Sequence, residues 1–253
     1  MKRVIYKNTP LIEVILQVQF PTNLEINATD PVEFQNAIKS SYPNYQLGLE
    51  NEQEIFFQVD KDGVAPTFAP RQQHKNHAFI SENGSYKINL GSNFLSISTL
   101  SYSRWEDFID NFRIPFDNLI KIYLPPYLNR VGLRYVDAFS KEKLSLQDKR
   151  WDELIKPQFL GLMSSLDEQY VEACNTTVEY THAAGKRTRI NSGLGFIGTT
   201  EKVFVIDSDF FTIENIKPED FFTIANDLHS NANKILQSAI TEELHLAMGP
   251  SEL

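Results

Sequence analysis

The chain has 253 residues, of which 33 are Asp or Glu and 24 are Lys or Arg, so its formal net charge at pH 7 is −9. This acidic balance argues against a protein that coats nucleic acid or anionic membranes non-specifically. Hydrophobic residues make up 42% of the chain, which is enough to bury a core and excludes global disorder.

The sequence also indicates a cellular compartment. The basic N-terminus is followed by no apolar run typical of a signal peptide, and no stretch of about 20 apolar residues predicts a membrane span. Cys174 is the single cysteine, which excludes an internal disulfide framework and is typical of a reducing compartment. We therefore expect a cytoplasmic protein without a membrane partner.

The first half of the chain predicts a strand, a helix and several antiparallel strands. Residues 11–20 alternate apolar and polar side chains with the period of a strand. Asp30 and Pro31 indicate the N-cap and first position of a helix over residues 32–41. Residues 63–76 are predicted to form a long loop. Further strands are predicted at residues 54–60, 78–82, 85–90 and 94–100, with Asn83-Gly84 as a hairpin turn.

A long helix closes this half, and the order of elements then recurs. Ser103 is predicted to cap the helix, Pro115 to kink it or start a second segment, and Pro125-Pro126 to end it. The second half predicts a strand, a helix interrupted at Pro157, three strands and a last helix from Pro218. Their predicted ranges are residues 129–139, 151–162, 168–181, 186–196, 201–211 and 218–246.

This recurrence predicts the fold class and the domain organisation. We expect an α+β fold of two pseudo-repeated halves, residues 1–126 and 127–253, that together form one compact unit. Each half would be a mainly antiparallel sheet packed by helices. Glu106-Asp107-Phe108 in the first half aligns with Glu219-Asp220-Phe221 in the second.

Several motifs together resemble a known family. They are Pro10-Leu11-Ile12-Glu13-Val14-Ile15, Phe79-Ile80-Ser81-Glu82-Asn83-Gly84, Arg130-Val131-Gly132-Leu133-Arg134-Tyr135-Val136 and Ile206-Asp207-Ser208-Asp209. Their order and spacing, from residue 10 to about 210, resemble a sporadically distributed bacterial family of proteins of about this length with no agreed activity. The resemblance implies no catalytic residues. The scattered distribution implies a gene that moves between genomes, as accessory and defence genes do.

Residue patterns that could carry catalysis or hold a metal are better explained by structure. His74 and His77 form an H-x-x-H pattern without a further ligand at a standard spacing, so we expect both to be solvated. Cys174 lies in a predicted strand and is expected to be buried. The glycine-rich stretch at residues 193–198 is followed by a strand rather than a helix, which argues against a dinucleotide site. The sequence therefore predicts no catalytic set, no metal and no cofactor.

Four arginines are the candidate ligand-binding residues. Arg130 and Arg134 share one face of a predicted strand, and Arg187 and Arg189 share one face of another. If the two halves pack side by side, these arginines could converge on one groove, where their guanidinium groups would suit phosphate or carboxylate. The alternative is a solvated sheet face neutralised by three acidic residues. Those residues are Glu13, Glu172 and Glu179.

Acidic residues near these arginines leave further alternatives open. Asp207 and Asp209 point to the same side of a strand, so they form either a solvated strand end or part of a hard-cation site. A charged strand face is also similar to triphosphate-tunnel enzymes, which line a closed antiparallel barrel and open with an E-x-E-x-K strand. Glu13 matches the first acid of that pattern, but Ile15 and Gln17 replace the second acid and the lysine.

Two functional hypotheses follow from the sequence. The first is a non-enzymatic binding protein with a protein partner, from a mobile defence or toxin–antitoxin type cassette. The alternative is a phosphate-recognising protein or enzyme, acting on a nucleotide, RNA or a triphosphate through the four arginines. A nucleotide or nucleic-acid partner is the less favoured. A homodimer through the apolar stripe of the last helix stays open.

Overall fold

The structure is a computed structural model that describes residues 4–52, 55–60, 63–68, 72–183, 185–198 and 201–252. Its strands are β1 (Val4–Tyr6), β2 (Leu11–Gln19), β3 (Asn44–Glu52), β4 (Ile55–Asp60), β5 (Gly63–Phe68), β6 (Gln72–Ile80), β7 (Tyr86–Gly91), β8 (Phe94–Thr99), β9 (Arg130–Phe139), β10 (Asn175–Ala183), β11 (Lys186–Ile197), β12 (Glu201–Thr212) and β13 (Pro250–Glu252). Its α-helices are α1 (Leu24–Ala28), α2 (Val32–Ile38), α3 (Trp105–Tyr123), α4 (Trp151–Leu154), α5 (Pro157–Leu160), α6 (Phe221–Ala239) and α7 (Glu242–Ala247).

Nine strands form one antiparallel sheet in the order β10-β11-β12-β9-β2-β8-β7-β6-β3. The central pair β2–β9 joins the two halves of the chain, so the sheet is continuous across them. The predicted α+β class is confirmed. In the described part of the chain the order is linear from β10 to β3, so the closed barrel of triphosphate-tunnel enzymes is not formed there.

One face of the sheet packs against the long helices because its strands alternate. In β2, Val14, Leu16 and Val18 are fully buried, whereas the residues between them are partly exposed. These side chains share a core with α3 and α6. The rings of Phe116 in α3 and Phe221 in α6 stack with centroids 4.1 Å apart, which fixes the two helices to each other.

A second core cluster lies under the second half of the sheet. Phe139, Trp151, Phe204 and Ala239 belong to it, and α6 contributes residues to both clusters. The helix ends at Ala239 because Ile240 is extended and pairs with Ile155, and α7 follows. The single helix predicted at residues 218–246 is therefore divided into α6 and α7.

Two helix starts differ from the sequence-based expectation by one residue. Arg104, rather than Ser103, is the N-cap of α3, and the Ser103 hydroxyl donates instead to Asp107. Pro31, rather than Asp30, is the N-cap of α2. Helix α3 continues through Pro115, so no second segment starts there, and Leu124 ends it in the left-handed region with φ 47°.

The largest error concerns the long loop predicted at residues 63–76, because residues 63–68 and 72–76 belong to strands and residues 69–71 lie outside the described residues. Gly63–Phe68 pairs with β4, and Gln72–Ile80 pairs with both β3 and β7. Strand β3 itself has no counterpart among the predicted elements. The predicted hairpin between β6 and β7 is confirmed, with Gly84 at φ 71°.

Candidate functional site

All four predicted arginines lie on one face of the sheet. In β9, Arg130 and Arg134 alternate with Val131, Leu133 and Tyr135, which are buried in the core shared with α3 and α6. The arginines therefore point to the opposite face. In the register, Asp209 of β12 lies between Arg134 of β9 and Arg189 of β11, so all three strands present charged side chains there. We call this surface the arginine face; it comprises Arg130, Arg134, Glu179, Arg187, Arg189, Asp207 and Asp209.

Both β9 arginines are paired with aspartates of β12. Arg134 donates from Nε to Oδ1 of Asp207 at 2.7 Å and from Nη2 to Oδ2 at 2.8 Å, a bidentate fork. Arg130 Nη2 donates to both carboxylate oxygens of Asp209, at 2.9 and 2.7 Å. The hydrogen bond to Asp207 raises the pKa of the Arg134 guanidinium, and this effect outweighs partial desolvation, which lowers that pKa.

Arg130 is held in place by its surroundings on three sides. Its guanidinium lies 4.7 Å from the centroid of the Phe211 ring. It also covers Gly132 so closely that a Cβ there would lie 2.1 Å from Nη1. Gln17 accepts a further hydrogen bond from Nη1 at 3.5 Å. Glycine at position 132 thus allows Arg130 to lie flat against the sheet and reach Asp209.

The β11 arginines share one carboxylate. Arg189 Nε donates to Oε2 of Glu179 at 2.9 Å, and Arg187 Nη1 donates to Oε1 at 3.2 Å. The hydrogen bond from Arg189 is the largest cause that lowers the pKa of the Glu179 carboxyl. Nε of Arg187 is buried and has no hydrogen-bond partner within the described residues. Two positive charges therefore face one negative charge at this edge.

The acidic neighbours differ from those that the sequence indicated. Glu179 pairs with the arginines as expected, and Glu13 acts on Arg134 only at longer range, raising its pKa. Both expectations for Asp207 and Asp209, a solvated strand end or part of a hard-cation site, are wrong, because both carboxylates are bound to arginine and their side chains are 16% and 23% exposed.

A polar cavity of about 430 Å³ opens on the first-half side of the same face. Its lining includes Gln17 and Gln19 of β2, Asn89 of β7 and Ser96 of β8. Gln17 also contacts Arg130, so the cavity adjoins the arginine face. Amide and hydroxyl groups here offer donors and acceptors of neutral hydrogen bonds.

Comparisons with known proteins do not assign this chain to a family. No family model matches this chain, and no curated protein matches it.

A second cavity, of about 470 Å³, lies on the helix side of the sheet and was not predicted. It occupies the seam between the two core clusters, since its lining residue Tyr135 belongs to one cluster and its lining residue Ile206 to the other. We call it the seam cavity. Its lining comes from β1, β2, β9, β12, the start of α3 and the middle of α6, and includes Tyr6, Leu11, Tyr102, Arg104, Asp107, Tyr135, Asp137, Ile206, His229 and Ala232.

Asp137 is the buried acid of the seam cavity. It is 6% exposed, and its register neighbours on the two adjoining strands are Leu11 and Ile206, both apolar. No hydrogen bond to its carboxyl is formed from the residues that the structure describes. Desolvation by this burial raises the pKa of Asp137 to about 7.

An aromatic wall stands beside Asp137. The Tyr135 hydroxyl and Nδ1 of His229 share a hydrogen bond at 2.8 Å. The His229 ring stacks on Trp105 with centroids 4.5 Å apart and an interplanar angle of 5°. Trp105 Nε1 in turn donates to Asn226 at 2.6 Å. These contacts hold the His229 ring of α6 against Trp105 of α3, at the wall of the cavity.

The sequence contained one signal for this cavity. Within β9, Asp137 has the same parity as Leu133, Tyr135 and Phe139, so it is a lone acid on the apolar face of a strand. Such a residue must be neutral, paired or bound to a ligand when it is buried. The contribution of His229, 92 residues later in the chain, depends on how α6 packs and carries no comparable signal.

The remaining candidate residues have structural surroundings. His77 is fully buried and shares a hydrogen bond with the Tyr45 hydroxyl at 2.9 Å, so the expectation that it is solvated is wrong. His74 lies in β6, and its side chain is outside the described residues. Cys174 is partly buried just before β10, with Sγ 3.7 Å from the Leu160 carbonyl oxygen. A Cβ at Gly193 would lie 2.0 Å from the Cys174 carbonyl oxygen, so this glycine permits a close approach of backbones.

Within the described ranges, no three His, Cys, Asp or Glu side chains group in a way that could hold a metal ion. None of the helices described has the length and apolar character needed to cross a membrane.

Proposed function

We propose that this chain is a non-enzymatic binding protein and that the arginine face contacts a protein partner. The observation that carries the proposal is the internal pairing of Arg130 and Arg134 with Asp209 and Asp207. Each of these two positive charges is accompanied by a negative one, so a polyphosphate or nucleic-acid backbone would meet carboxylates as well as guanidinium groups. A protein surface with charges of both signs is the better complement.

The chemistry of the face favours binding over catalysis. Its carboxylates are engaged by arginine, which leaves them poorly placed to take a proton from a substrate. Arginine is enriched at protein interfaces because its planar group stacks and forms several hydrogen bonds at once. The neighbouring polar cavity adds amide and hydroxyl groups for a partner to fill.

The proposal includes an internal duplication. From the central pair β2–β9, the sheet order runs outward through β8, β7 and β6 on one side and through β12, β11 and β10 on the other. A long helix, α3 or α6, follows the last strand of each half. Together with the resemblance to a sporadic bacterial family, this supports an accessory role in the cytoplasm, in a mobile defence or toxin–antitoxin type cassette.

A polarity swap tests the arginine face without breaking its ion pair. Arg134→Asp combined with Asp207→Arg keeps the pair and reverses its direction. We expect affinity for the co-purifying protein to fall at least tenfold, which is about 1.4 kcal/mol, with little change in thermal stability. Native mass spectrometry of the protein purified from its host identifies the partner, which includes a second copy of the chain, and titration measures its affinity.

The matched control is the same swap on an exposed helix pair. Asp110→Arg with Arg113→Asp reverses the ion pair on α3, whose atoms lie 3.4 Å apart on the helix side of the molecule. This variant should keep the affinity of the wild type. A partner that binds the Arg134–Asp207 swap as tightly as the wild type contradicts the proposal.

Phosphate recognition is a second candidate, favoured by one observation. Arg187 and Arg189 share Glu179, so one guanidinium charge is in excess, and Nε of Arg187 has no partner among the described residues. If the arginine face binds phosphate, Arg134→Ala and Arg189→Ala should each weaken binding of ATP or an RNA oligonucleotide at least tenfold, with the fold intact. Wild-type affinity in both variants, measured by equilibrium titration, excludes this function.

A further inference from the structure

The seam cavity has the size and lining of a small-molecule site. Its volume of about 470 Å³ falls within the range of ligand pockets in proteins, about 300–1,000 Å³. Side chains such as Leu11, Ile206 and Phe210 make much of the lining apolar. It lies on the opposite side of the sheet from the arginine face, so it is independent of the function proposed above.

Among the polar groups of the cavity, the Asp137 carboxyl lacks a hydrogen-bond partner within the described residues. Arg104, at its edge, is already engaged, since Nε and Nη2 donate to the two oxygens of Asp107 at 2.8 and 2.7 Å. Asp137 is more than nine-tenths buried and receives no hydrogen bond from the described residues. A carboxyl group in that position is stabilised by a partner that brings a donor and a positive charge.

We propose that the seam cavity binds a small organic molecule with an aromatic body and one protonated nitrogen, which bonds to the Asp137 carboxylate. The charges of the lining fit this class, because two aspartates face one arginine. Tyr102 and Tyr135 lie edge to face, with ring centroids 6.1 Å apart, and offer a surface for an aromatic body. Aromatic rings also attract a nearby cation.

Binding of such a cation has a proton signature. Burial raises the pKa of Asp137 to about 7, so the carboxyl is largely protonated at pH 6. A bound cation favours the ionised form, and the carboxyl proton is then released to solvent. The titratable and charged groups that line the cavity with Asp137 are Tyr6 from β1, Tyr135 from its own strand, Tyr102, Arg104 and Asp107 at the start of α3, and His229 from α6.

Matched amines and acids test the proposal on the full chain. Tryptamine and 2-phenylethylamine are titrated calorimetrically against the wild type, with indole-3-propionate and 3-phenylpropionate as partners of the same ring and opposite charge. We expect at least one amine to bind at least tenfold more tightly than its acid partner. At pH 6 its binding heat should depend on the ionisation enthalpy of the buffer, because a proton is released.

Two variants locate the interaction. Asp137→Asn should weaken amine binding at least tenfold and abolish the buffer dependence. Ala232→Phe, which fills the cavity from α6 and leaves Asp137 intact, should weaken it similarly. The proposal is overturned if neither amine binds the wild type more tightly than its acid partner, or if Asp137→Asn binds the amine as the wild type does.

Discussion

Replacing Asp137 with asparagine is expected to stabilise the protein at pH 8 and to remove a pH dependence of its stability. Burial raises the pKa of the wild-type carboxyl to about 7 in the folded state, from an ordinary value of 3.8. Between these values the unfolded chain gives up the proton while the folded chain keeps it. Ionisation therefore favours unfolding, and the free energy of unfolding falls as the pH rises through this window.

The expected magnitude follows from the size of the shift. About three pKa units correspond to about 4 kcal/mol of destabilisation, fully present above pH 7 and absent below about pH 4. The asparagine amide is also buried without a partner, which costs about 1–3 kcal/mol. We therefore expect a net gain of about 2 kcal/mol at pH 8, and a difference between variant and wild type that grows by about 3 kcal/mol from pH 5 to pH 8.

Urea unfolding of both proteins at a series of pH values, without added amine, measures this difference. Asp148→Asn is the control, because it removes the same charge at an exposed position. Its stability relative to the wild type should stay nearly constant over the same series. A constant difference for Asp137→Asn would mean that the Asp137 carboxyl is already ionised at the lower end of the series.

Phe221→Ala is expected to cause the largest loss of stability. Phe221 is fully buried, stacks on Phe116 at 4.1 Å and meets Phe112 at 5.6 Å. Removing the ring opens a cavity where α3 and α6 meet, and substitutions of this kind cost about 3–5 kcal/mol. For a chain of this size we expect the melting temperature to fall by about 10 °C.

The control for this variant is Phe196→Ala, at an aromatic position of β11 that is 61% exposed. It should change the free energy of unfolding by less than about 0.5 kcal/mol. A lower urea midpoint with an unchanged dependence of the unfolding free energy on urea concentration indicates a loss of stability. A change in that dependence indicates a change in the unfolded chain. If Phe221→Ala lowers the free energy of unfolding no more than Phe196→Ala does, the contact between α3 and α6 contributes little to stability.

The alternation of side chains determined much of the candidate site in advance. In β2, β9, β11 and β12 the period of two is local, so the sequence alone placed Arg130 with Arg134 and Arg187 with Arg189 on common strand faces. The Asn83-Gly84 pair gave the hairpin, and apolar residues at helical spacing gave the long helix α3. The alternation failed for the start of β6, because the polar stretch Gln72–Asn76 shows no alternation of apolar side chains.

The tertiary structure decided which strands became neighbours, and with that the chemistry of both sites. Arg134 and Asp207 are 73 residues apart in the chain, and only the pairing of β9 with β12 brings them together. Strand order depends on packing between distant segments, which no local pattern encodes. The sequence therefore determined which residues could face a ligand. The packing of α6 across β9 and β12 decided that Asp137 and His229 line one cavity.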